Sequence, residues 1–182
     1  ASLLVAFGSL KAADAPSDPN ADEAKKIIKQ FGGQLVSELK AALENGGPVQ
    51  AINVCAKRAP AIADGLSKAT GWEVGRTSLK VRNAERSTPD AWELAVLQKF
   101  ESRKAAGESV ETMAYAEVVE TPAGKQVRFM KAGPTQELGR TCHGSEISRE
   151  VTDALDQHYP KDQARGFALG DIRGAFSLSK PL

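Results

Sequence analysis

Met113-Ala114-Tyr115-Ala116-Glu117-Val118-Val119 and Lys125-Gln126-Val127-Arg128-Phe129-Met130 flank Thr121-Pro122-Ala123-Gly124, and this stretch decides the class of fold. Two arms rich in β-branched and aromatic residues around a Pro-Gly turn predict a β-hairpin, which is antiparallel by construction. Toward the C terminus, residues 145–158 predict a short helix with Ser145 as N-cap, and residues 171–179 a final strand. Toward the N terminus, residues 89–106 predict a helix with Trp92, Val96 and Phe100 on one stripe, and residues 72–81 an extended segment with Val74, Leu79 and Val81 alternating. Residues 22–44 carry Ile27, Ile28, Phe31, Leu35, Leu39 and Leu43 at three- and four-residue steps, a long amphipathic helix. Gly46-Gly47 ends it, and Pro48 opens a second helix to about Ala69, with Ile52, Cys55, Ala59, Ile62 and Leu66 on its apolar face and a bend expected at Pro60. The order helix, helix, strand, helix, hairpin, helix, strand predicts an α+β fold with a small antiparallel, PAS-like sheet flanked by helices and a long N-terminal helix pair.

Composition narrows the class. Of 182 residues, 41% are apolar and 26% charged, an ordinary globular balance, with ten aromatics and only two cysteines. A disulfide scaffold, a collagen-like chain and a wholly disordered chain are excluded. With 24 basic and 23 acidic residues the net charge is +1, which gives no pull toward nucleic acid. Residues 2–10 form an apolar stretch of signal-peptide size, too short to span a bilayer, before an A-x-A pattern at Ala13 and Ala15 and a polar linker through Asn20. Residues 1–21 therefore read as a signal remnant or an anchoring arm with its linker, and 22–182 as the domain. Export follows from that reading: a periplasmic protein, or one held at the membrane on the periplasmic side through residues 1–15.

The chemistry centres on Leu138-Gly139-Arg140-Thr141-Cys142-His143-Gly144, one residue away from C-x-x-C-H, in which two thiols attach a haem and the histidine binds its iron. Gly139 stands at the first cysteine position. A bare Cys-His pair is also compatible with a buried thiol beside a surface histidine. Zinc would need Cys55, Cys142, His143 and His158 to converge without any C-x-x-C spacing. A Cys-His hydrolase would need Cys142 or Cys55 beside His143 or His158. Neither has local support, and a Cys55–Cys142 disulfide stays open.

Several collinear stretches resemble the single-haem c-type cytochrome domains of PAS-like topology. They are residues 51–55 and 59–63, Arg76 to Asn83, 89–93, Arg128 to Lys131 with 134–136, Thr141 to Gly144, Tyr159 to Ala164 and Gly170 to Ala175. The resemblance implies a haem c and its iron, with His143 as one axial ligand, Cys55 on its helix as the other, and Cys142 as the attachment thiol. Gly139 departs from that pattern, leaving a single thioether through Cys142, a non-covalent haem, or a haem-free structural subunit. Arg76 and Arg82, with Arg128 as a further candidate, would meet the propionates. Met130 reads as core rather than a substitute ligand, and His158 as a helix-end charge. The implied role is non-enzymatic: a low-potential electron carrier or an accessory haem subunit of a respiratory or photosynthetic complex, partnered by a redox protein or membrane complex. A redox or NO/CO sensor is the alternative.

Overall fold

The computed structural model describes residues 18–182, so the apolar stretch, the A-x-A pattern and most of the linker lie outside the described residues. The first element, α1 (Pro19–Thr70), begins where the Asp18 side chain accepts from the Asn20 amide at 3.0 Å with proline in the first turn. Asp18 rather than a later residue caps the helix, so it starts three residues before Asp22. It ends at Gly71, whose φ of 75° lets its amide bond back to Ser67. Inside it one residue leaves the helical region: Gly47, at φ 70° and ψ −167°. α1 is thus two arms, divided at the glycine pair as the sequence predicts. Pro60 sits inside the second arm without taking its neighbours out of helical geometry.

Four strands, β1 (Glu73–Thr77), β2 (Ala114–Thr121), β3 (Gly124–Pro134) and β4 (Ile172–Pro181), form one antiparallel sheet in the order β1-β4-β3-β2. The hairpin is paired down to Thr121 and Gly124, leaving Pro122-Ala123 as its two-residue turn. Register places Val74, Leu178 and Phe129 in one row. Their face packs on Ile27, Phe31, Ile62 and Leu66 of α1. The alternate face, with Met130, Ala132 and Ala175, packs on Val96, Leu97 and Phe100 of α3 (Ala91–Ala105). α3 starts at a capping box, in which Asp90 and Glu93 each bond the other's backbone amide.

Four local readings are corrected. The extended segment stops at Thr77, because the Ser78 hydroxyl bonds the Arg173 and Lys80 carbonyls and turns the chain. A short helix α2 (Ala84–Ser87) follows, capped by Asn83. The loop after Pro134 contains another helix, α4 (Glu137–His143). The last helix, α5 (Arg149–His158), begins four residues late, because Ser148 rather than Ser145 caps it by accepting from the Val151 amide at 3.3 Å. Val151 and Leu155 of α5 close on Ile52 of α1, which brings the end of α4 beneath the second arm.

Candidate functional site

Where α1 leaves the β1–β4 side of the sheet and α4 comes up to meet it, a cavity of about 690 Å3 remains and continues round the β1 edge toward the start of α3. Cys55, Arg76, Arg82, Cys142 and His143 all line it, as does Arg128 at its far end. One wall is a shelf of small side chains, Ala51, Cys55, Ala59 and Ala63, spaced four apart so that they stack along one face of the second arm.

His143 ends α4. Its Nδ1 lies 3.0 Å from the Ala164 carbonyl oxygen. That carbonyl can only accept, so the bond assigns the ring proton to Nδ1 and leaves a lone pair on Nε2. Burial holds its pKa well below the usual histidine value, and the Arg173 and Arg82 charges push in the same direction. The imidazole is therefore neutral at pH 7, the form that binds metal. The Nε of Arg173 is 3.0 Å from Nδ1 and 3.4 Å from Nε2. Only a position over the ring face brings one atom near both nitrogens without striking the carbon between them. Arg173 is thus a cation stacked on the imidazole.

Arg82 is the frame of the site. Its Nε and Nη2 meet Asp162 at 3.0 and 3.2 Å, and Nη2 also donates to the carbonyls of Cys142 at 2.6 Å and Ala164 at 2.9 Å. The Asp162 side chain is 1% exposed and that of Arg82 11%. Burial alone would raise the Asp162 pKa, but bonds from Arg82, Arg165 and the Ala164 amide outweigh it and hold the carboxyl below its ordinary value. The charge of Arg82 is matched, and its main visible role is to fix the α4 terminus and the Ala164 loop around His143.

Arg76 and Arg173 have no such match. Arg76 has no hydrogen-bond partner among the described residues and stacks on Phe31 at 5.3 Å. Its side chain is solvent-exposed and lines the cavity. Burial lowers the pKa of both groups, that of Arg173 to about 9 with Arg82 and Arg76 adding repulsion. Arg128 differs: its charge is met by Asp90 at 2.8 Å and Glu93 at 3.6 Å, and it stacks on Trp92.

Cys55 and Cys142 are both free thiols, half-buried, and the disulfide alternative is not formed. Burial raises the pKa of each thiol; Arg76 and Arg82 pull Cys55 back down, and Arg82 does so for Cys142. Met130 is fully buried on the α3 side of the sheet, away from the cavity. His158 ties α5 to α1 through Asn53 Oδ1 at 2.5 Å and does not line the cavity. Among the described residues no three His, Cys, Asp or Glu side chains converge as a metal site, and no helix is long and apolar enough to cross a membrane. Arg173 and Asp162 went unassigned in the sequence. Both sit in stretches that carry the resemblance, at 170–175 and 159–164, but each acts through a partner 30 to 95 residues away in the chain.

The structure is of the α+β class, a four-stranded antiparallel sheet and a long helix walling a cavity. The Tll0287-like family model matches residues 12–181, and the chain belongs to that family. The crystal structure of the cyanobacterial haem protein Tll0287 is similar to this one with a TM-score of 0.67 at 21% identity, covering 91% of this chain and 97% of that one. No curated protein matches.

Proposed function

We propose that the cavity binds one haem, and that the protein is an exported electron carrier or an accessory haem subunit of a larger redox complex. The observation that carries this reading is the charge pattern: two guanidinium groups without a carboxylate partner, the exposed Arg76 and the half-buried Arg173, line the same cavity. Like charges gathered at one cavity repel one another and favour an anionic partner. A macrocycle bearing two propionates supplies two carboxylates and an apolar plate together. Membership of the Tll0287-like family, and the likeness in fold to Tll0287, itself a haem protein, support the same group.

The residues present fit it. His143 offers a neutral imidazole with a free Nε2, and its Nδ1 is anchored as metal-binding histidines usually are. Cys55 offers a thiol from the small-residue shelf, and Cys142 a thiol for a single thioether. The volume lies within the range of roughly 300–1,000 Å3 common to cofactor pockets. A haem supplies one-electron iron chemistry when bound. Two protein ligands leave no position for substrate, which favours transfer over turnover, and a thiolate ligand favours a low potential.

A second reading, a redox or diatomic-gas sensor, draws on the unequal anchoring of the two ligands. His143 is held through Nδ1, whereas the Cys55 thiol has no hydrogen bond among the described residues and is the more readily exchanged. Titration of the unloaded protein with haemin, before and after reduction under CO, separates the readings. A carrier keeps its six-coordinate spectrum under CO; a sensor exchanges Cys55 for CO; a haem-free subunit gives no saturable Soret band. Cys55→Ala and His143→Gln must each change the spectrum of the bound haem if those residues are ligands.

A further inference from the structure

The apolar stripe on the first arm of α1 runs past the point where the core ends. Ala24, Ile27, Ile28 and Phe31 are buried against the sheet. Gly32-Gly33 follow, and from there to Gly46 only Ala42 is buried. Leu35, next on the stripe, is half-buried against the edge of that core, and Leu39 and Leu43 beyond it face the cavity instead. Crowding does not require either glycine, since a Cβ at Gly32 or Gly33 would meet nothing within 4 Å. Adjacent glycines in a helix interior weaken it at that point. At the far end, Gly47 takes the chain out of the helix. Residues 34–45 thus lie between two glycine pairs. Their one ion pair to the second arm among the described residues is the exposed Glu38–Arg58 contact, at 2.6 and 2.8 Å.

We propose that residues 34–45 are a hinged lid, which swings at Gly32-Gly33 and Gly46-Gly47 to admit the haem and lays Leu39 and Leu43 on its apolar face. The proposal rests on the haem reading for the identity of the ligand, though not for the motion. Opening here lifts Leu35 off the edge of the core and uncovers the cavity while Phe31 and the sheet stay packed. Glu38–Arg58 is the latch, an exposed pair of the weak kind that breaks readily.

Hydrogen exchange on the full-length unloaded protein tests the motion. Amides of residues 34–45 should exchange at least tenfold faster than those of residues 52–66 in the second arm. Gly32→Ala with Gly33→Ala should slow that exchange, and should slow haemin uptake followed at the Soret band, each at least threefold. Gly65→Ala is the control, because its Cβ also enters open space but on the second arm. Arg58→Ala should speed both. Leu39→Ala with Leu43→Ala should release haemin to apomyoglobin at least fivefold faster. Equal protection of the two arms, or the same effect from Gly65→Ala as from the glycine pair, overturns the lid. Unchanged release from the leucine variant overturns their contact with the ligand. If haemin is not taken up at all, exchange still decides the lid, and the missing uptake counts against the haem reading.

Discussion

The Nδ1 atom of His143 and the carbonyl oxygen of Ala164 stand 3.0 Å apart, and Arg82 donates to that same oxygen at 2.9 Å. The ring proton is fixed by a loop that is itself fixed by Arg82 and Asp162. The ability of His143 to offer Nε2 therefore depends on the Arg82–Asp162 ion pair.

Removing one member of that pair is expected to be costly. Asp162→Asn leaves Arg82 with an unmatched charge at a buried position and should destabilise the unloaded protein by roughly 3–5 kcal/mol. The acid limb gives the sign independently. The folded carboxyl titrates below its ordinary 3.8, so its contribution is present above that pH and is lost as pH falls toward the folded value. Urea midpoints should drop between pH 5 and pH 3 in the parent and drop less in Asp162→Asn. Equal midpoints for the two proteins at pH 7 would remove the pair from the frame of the site.

Arg76 and Arg173 should behave oppositely in the two states of the protein. A charge-assisted bond to a propionate contributes about 1.5–3 kcal/mol, so Arg76→Met or Arg173→Met should weaken haemin binding about 10- to 150-fold. The unloaded protein should be no less stable with Arg76→Met, because the guanidinium is exposed, makes no hydrogen bond among the described residues, and is repelled by Arg173. Parallel haemin titrations and thermal melts check this. A variant that melts lower yet binds haemin as before would make Arg76 a structural residue.

Gly139 can take the side chain that the C-x-x-C-H pattern expects. A Cβ there finds His143 Cδ2 at 3.8 Å as its nearest neighbour, ordinary contact distance. Gly139→Cys should fold normally and, made in a host that attaches haem c, should form a second thioether. Losing the second vinyl group moves the pyridine haemochrome band to shorter wavelength than in the parent.

The sheet core offers a check on the fold itself. Phe129 is buried in the row between Val74, Leu178 and α1. Phe129→Ala should cost about 3–5 kcal/mol in unloaded protein, read from urea midpoints. Ser148→Ala, which removes only the side-chain cap of α5, should cost about 1 kcal/mol.

Much of this was written in local pattern. The hairpin, the glycine break between the arms and the apolar stripe holding Cys55 are short-range signals, and each appears where periodicity and turn residues put it. Element ends were harder to place: α5 is capped by Ser148 and not Ser145, and β1 stops at Thr77 because Ser78 bonds Arg173, 95 residues away. The site divided in the same way. Cys55, Cys142 and His143 stood out as rare residue types. Arg82 and Arg173 are ordinary arginines in the sequence, and only the fold shows that one is matched by Asp162 and the other stacks on an imidazole.

The central claim is that this cavity holds a haem. The most direct measurement is the haem content per chain of the full-length protein, made in a host competent to attach haem c, by pyridine haemochrome with intact mass under denaturing conditions. The account predicts one haem per chain, with a mass above that of the bare polypeptide if Cys142 carries a thioether and equal to it if the haem is held by His143 and Cys55 alone. Protein that comes out without a Soret band, and does not gain one on addition of haemin, would contradict it.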